Sequence, residues 1–99
     1  MNYTKEEVDS LVGNVLENPD DRFVRTVYVD CLIAMAKYLS VETLFKAERD
    51  AYIENGKISR LGEWDARAYL SKCQASYFDG QDELNVVGEV IEKAFSEQK

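Results

Sequence analysis

The sequence predicts an all-α domain wrapped around one apolar helix, and three observations carry that prediction. Residues 23–39, FVRTVYVDCLIAMAKYL, are apolar nearly all round a helix at about 100° per residue. Their polar members Arg25, Thr26, Asp30 and Lys37, with Arg22 just before them, collect on one side. In the segment before it, Val8, Leu11, Val12, Val15 and Leu16 follow the i, i+3, i+4, i+7, i+8 spacing of one helix face. Finally, start and stop signals separate the segments: Thr4 with Glu7, Asn18-Pro19, Ser40, Asn55-Gly56 and Asp79-Gly80. Five helices are expected, at Lys5–Glu17, Pro19–Leu39, Val41–Glu54, Leu61–Phe78 and Glu83–Ser96, in one domain over residues 1–99. A chain of this mass buries roughly 65% of its unfolded surface, enough for one core without staples.

The first helix starts on a capping box, Thr4 with Glu7, and Tyr3 is placed to staple onto Val8. It stops at Asn18, because the residue before a proline is pushed out of the α region. The same pair opens the second helix, with Asn18 as cap, Pro19 at the first position, and Asp20 and Asp21 at the positive end of the dipole. FVRTVYV alone is rich enough in β-branched and aromatic residues for a strand. The pattern runs on through CLIAMAKYL without a turn residue, which decides for a helix. Leu32 belongs to its buried set, so Leu32→Ala is expected to cost about 2–5 kcal/mol.

Ser40 caps the third helix, whose buried stripe is Val41, Leu44, Phe45, Ala51 and Tyr52. Glu48 falls within that stripe. A carboxylate in an apolar setting is a candidate general acid or base. With no nucleophile or metal ligand in pattern beside it, it reads instead as an edge residue that pairs with Arg22, Arg25 or Arg67. The fourth helix carries two apolar faces. Leu61, Trp64, Ala68, Ser71, Ala75 and Phe78 form a heptad-like seam. Ala66, Tyr69, Leu70, Cys73 and Tyr77 form a second face, which either packs under a neighbour or is a contact surface for another chain. The fifth helix, capped by Asp82, buries Leu84, Val87, Ile91, Ala94 and Phe95. Asp79–Glu83 superficially suggests a calcium loop, but the ligand at its twelfth position would be Val90, and the reading fails there.

Exclusions narrow the function. The chain has no histidine, so Ser-His-Asp and Cys-His catalysis are ruled out, as are the common zinc sites. Its five glycines are scattered singly, so there is no phosphate-cradling loop. Cys31 and Cys73 form no CxxC and read as buried reduced thiols. No apolar run reaches about 18 residues, so no membrane span is expected. The N-terminus lacks the features of a secretory signal, which together with the cysteines reads as cytoplasmic. No catalytic residue, cofactor or metal is expected, and the protein reads as non-enzymatic.

The charge map is uneven. Residues 1–21 carry six acids and one base, residues 22–72 seven acids and nine bases, and residues 73–99 six acids and two bases. The segments are therefore −5, +2 and −4, within a net charge of −7. Such a chain repels nucleic acid, and direct binding to it is not expected. If the first and last helices are neighbours, Glu6, Glu7, Asp9, Asp20, Asp21, Asp82, Glu83, Glu89 and Glu92 form one electronegative side. Carboxylates so spaced imitate phosphates and suit a partner with a basic, nucleic-acid-binding surface, such as a nuclease or a regulator. By class-level analogy, small inhibitors encoded by phages and mobile elements are of this kind. The alternative is a structural or assembly protein, a homodimer or a complex subunit, joined through Tyr69, Leu70 and Tyr77. The expected partner-binding residues are thus Tyr69, Leu70, Tyr77, Glu6, Glu7, Asp9, Asp82 and Glu83.

Overall fold

A computed structural model describes residues 2–40, 42–43 and 66–98. Among these residues it shows four helices and no strand: α1 (Lys5–Leu16), α2 (Asp21–Tyr38), α3 (Ala66–Lys72) and α4 (Gln81–Glu97). The all-α class therefore holds. Of the third expected helix only Glu42 and Thr43 are described; they are helical, and the Thr43 amide donates to Ser40 Oγ at 3.1 Å, as a cap requires. The rest of that helix with Glu48, and the expected seam residues Leu61 and Trp64, lie outside the described residues.

Helix α1 begins as its sequence dictates. The Glu7 amide donates to Thr4 Oγ1 at 3.1 Å, and the Thr4 amide donates back to Glu7 Oε1 at 3.4 Å. Val8, Val12 and Val15 are fully buried, while Leu11 and Leu16 pack at the edge of the core. Helix α2 starts two residues later than the proline suggests. Its cap is Asp20, whose carboxylate accepts from the Arg22 and Phe23 amides, and Asn18 instead accepts from the Asp20 amide at 2.8 Å. Asp20 wins because Asn18 is spent on a local turn that orients Asp20 over the first free amides.

The last two elements differ more. The expected fourth helix does not run on to Phe78, because α3 ends at Lys72. The Cys73 amide is shared between the carbonyls of Tyr69 and Leu70, tightening the last turn. Two further tight turns, Gln74 to Ser71 and Tyr77 to Gln74, then aim Ala75 and Phe78 into the core. Helix α4 starts at Gln81 with Gly80 as its cap residue, not Asp82. Gly80 makes no side-chain cap bond; the Glu83 carboxylate folds back over it into the space a Cβ would fill. Asp82 and Glu83 therefore sit in the first turn, where carboxylates complement the dipole.

The core lies between α1, α2 and α4, with α3 packed against α1 and α2. Among the described residues α2 contacts each of the other helices, and α1 and α4 contribute to the same core. Val24, Val27, Tyr28, Cys31 and Met35 face inward from α2, and Leu84, Val87 and Ile91 from α4. Each such aliphatic side chain contributes roughly 1.5–3 kcal/mol by leaving water. Leu32 is only partly buried, so the full cost of an emptied leucine site does not apply to it. Nor is α2 wrapped all round: Ile33 and Tyr38 are 61% and 67% exposed. Both cysteines are buried and unpaired. Burial pushes the Cys31 thiol up, and the Cys73 thiol to about 12 against an opposing hydrogen bond from Tyr69. Neither is a thiolate nucleophile at neutral pH.

Candidate functional site

The most organised polar cluster is built by α4 around a residue from the other end of the chain. Gln81, Asn85, Gly88 and Glu92 recur at spacings of four, three and four, so they form one stripe along the helix. Tyr3 lies along that stripe. Its amide donates to Asn85 Oδ1 at 3.0 Å, and its carbonyl accepts from Gln81 Nε2 at 2.9 Å. Gln81 Nε2 also bonds Asn85 Oδ1 at 2.9 Å, which fixes the two amide side chains against each other. The ring rests on Gly88: a Cβ there would come within 2.6 Å of the ring carbons. The hydroxyl donates to Glu92 Oε2 at 2.8 Å. The segment before α1 is thereby strapped across α4.

This strap brings acidic residues from both chain ends together. Burial and the hydrogen bond to Glu92 push the Tyr3 hydroxyl up to about 12, and the charges of Glu92, Glu89 and Glu7 add to the rise. Glu92 of α4 touches that hydroxyl, and Glu89 of α4 and Glu7 of α1 act on it through their charge. Glu6 and Asp9 stand exposed on α1, Asp82 on α4, and Glu83 is half-buried over Gly80. The neighbouring of the first and last helices, on which one acidic side depends, is present. Asp20 and Asp21 have local partners. Asp20 caps α2, and Asp21 is engaged by Arg67 at 2.9 Å. Arg67 also donates to the carbonyls of Leu16 and Asn18, so one guanidinium closes the end of α1 and the turn into α2.

The expected aromatic contact face has a different fate. Tyr69 and Leu70 are core, at 2% and 0% exposure. The Tyr69 ring meets Tyr28 edge-on at 4.5 Å, and its hydroxyl donates to Met35 Sδ at 3.7 Å. Tyr77 is half-buried, edge-on to Phe78 at 5.1 Å with Lys72 Nζ over its ring. Tyr69 of the expected second face therefore packs under α2, with Leu70 buried beside it.

Sequence reasoning missed Tyr3 as an anchor and its partners Gln81, Asn85 and Gly88. The available signal was Gly88 itself, a glycine between Val87 and Glu89 inside a helix, which costs about 1 kcal/mol unless close packing uses it. It also missed Ile33 and Tyr38, which with Asp30, Ala34 and Lys37 of α2 and Val90, Lys93, Ala94 and Glu97 of α4 line a groove. Among the described residues no three His, Cys, Asp or Glu side chains converge as metal ligands, and no helix is long and apolar enough to cross a membrane. Comparison with known protein families, with curated proteins and with solved structures finds no match to this chain.

Proposed function

We propose that the protein is a non-enzymatic binding module whose acidic α1–α4 side occupies a basic surface on another protein, of the sort that otherwise receives nucleic acid. One observation carries this reading: the two acidic helices α1 and α4 pack side by side and are strapped by Tyr3, whose hydroxyl bonds Glu92 and feels the charges of Glu89 and Glu7. Spaced charge on rigid helices is a template for a basic groove, and it sets association rate and salt dependence. Glu6, Asp9, Asp82 and Glu83 add further negative charge on the same two helices.

The test is capture from a cell lysate on immobilised protein, in parallel with a Glu6→Lys/Glu83→Lys variant. The expected result is retention of nucleic-acid-binding proteins by the wild type alone, with release by short duplex DNA or by salt. Equal retention by both proteins, or release insensitive to DNA, refutes the reading. Tyr69 and Leu70 are core and only Tyr77 of that face is partly accessible, so the observations favour the acidic side over an assembly role there.

A further inference from the structure

The groove between α2 and α4 is unlike the rest of the described surface. Its floor is apolar, with Ile33, Ala34, Tyr38, Val90 and Ala94, and Ile33 and Tyr38 are the two large hydrophobic side chains left exposed among the described residues. Its charges balance: Asp30 and Glu97 against Lys37 and Lys93. On a chain of net charge −7, two copies repel one another through most faces, and a locally neutral apolar face is where they can meet.

The order of residues along α2 adds a symmetry. Asp30 and Lys37 are seven residues apart, two turns or about 10 Å along the helix, and on the same side. Ile33 and Ala34 lie midway. Lys93 and Glu97 satisfy each other within α4 at 4.0 Å, whereas Asp30 and Lys37 have no ion pair among the described residues. The geometry points to a second copy of this chain as the occupant, docked antiparallel about a two-fold axis that passes between Ile33 and Ala34. In that register Asp30 of each copy faces Lys37 of the other, and Ile33 and Ala34 each meet their own counterpart across the axis. A two-fold interface must be self-complementary, and this stripe is. The inference does not rest on the acidic-side reading, which uses the exposed carboxylates of α1 and other positions of α4.

Sedimentation of the full chain across a concentration series tests it. The wild type is expected to form dimers, and Ile33→Asp to stay monomeric, melting with the wild type at dilutions where that too is monomeric, since the side chain is exposed. Asp30→Lys and Lys37→Asp, each alone, are expected to weaken the dimer by about tenfold to thirtyfold, two attractive pairs becoming repulsive. Mixing those two variants should restore it, because in the mixed dimer a lysine again faces an aspartate at both ends of the interface. A wild type that stays monomeric up to millimolar concentration overturns the proposal and leaves the groove to some other partner. Dimers indifferent to Ile33→Asp, or single variants that do not recover on mixing, overturn it as well. The lysate capture is scored separately, so either reading can fail alone.

Discussion

Helix α4 has two long sides, and the chain treats them oppositely. On one, Gln81, Asn85, Gly88 and Glu92 are matched atom by atom to Tyr3, backbone included. On the other, Val90, Lys93, Ala94 and Glu97 border an open groove with Ile33 and Tyr38 exposed across it. Residues 88 and 90, two positions apart, point about 200° apart round the helix. The same helix is therefore closed on one side by its own N-terminal segment and left open on the other. Closure needs particular residues: a glycine to admit the ring, two amide side chains to satisfy a lone stretch of backbone, and a carboxylate to receive the hydroxyl. An open side needs only apolar and charged residues at helical spacing. Stability should be concentrated on the closed side and association on the open one.

The comparison is tested most severely by truncating one residue from each side. Tyr3→Ala empties a buried aromatic site, which costs about 3–5 kcal/mol, toward the lower end here because a chain terminus can relax. It also removes the hydroxyl that donates to Glu92. Ile33→Ala removes an exposed side chain from a helix surface and should change stability by less than about 0.5 kcal/mol. Urea unfolding followed by circular dichroism measures both. Similar losses for the two variants would mean that the groove is core or that the strap is not.

Gly88 sharpens the contrast. An alanine there gains about 1 kcal/mol of helix propensity over glycine. Its Cβ would lie 2.6 Å from a ring held at its backbone and its hydroxyl, however, and overpacking of that kind costs about 1–3 kcal/mol. The clash is expected to win, with a net loss of up to about 2 kcal/mol. In a Tyr3→Ala background the ring is gone, so the same substitution should become neutral or stabilising. That reversal of sign in a double-mutant cycle identifies the ring as the cause. Equal effects in the two backgrounds would place the cost elsewhere.

These particulars also show what could be read from the residues and what could not. The helical class, the α1 cap and the inward valines follow from local spacing, where each residue answers to neighbours three or four positions away. The end of α3 did not, because a heptad-like seam continues through Ala75 and Phe78 although the backbone there has left the helix. Both side chains are buried either way, so the pattern is blind to the change. The burial of Tyr69 and Leu70 depends on where Tyr28 and Met35 come to rest, some 34 to 41 positions earlier in the chain. Least legible was the strap. Tyr3 and Asn85 are 82 positions apart, and only the unexplained glycine at 88 hinted that another element approaches α4. Of the acidic side, the exposed carboxylates were legible; that Arg67 reaches from α3 to hold Asp21 was not.

The smallest expected effect belongs to one hydroxyl. At neutral pH Tyr3 is protonated and donates to Glu92, and Tyr3→Phe removes that bond at a cost of about 0.5–1.5 kcal/mol. Its ordinary value of 10.0 rises to about 12 in the folded protein, so folding favours the protonated form. Stability from this group is complete below pH 10 and is lost as the pH climbs from 10 toward 12, where the unfolded chain ionises first. The wild type should therefore melt higher than Tyr3→Phe at pH 8, and its lead should shrink above pH 10, where phenylalanine has nothing to ionise against Glu7, Glu89 and Glu92. The buried thiols and Tyr69, also shifted upward, destabilise both proteins alike over this range and cancel in the difference. Melting curves of the pair from pH 8 to 11 measure it. A gap that stays constant across that range would mean that the hydroxyl does not sit among those carboxylates, and the convergence of the two acidic chain ends at Tyr3 would go with it.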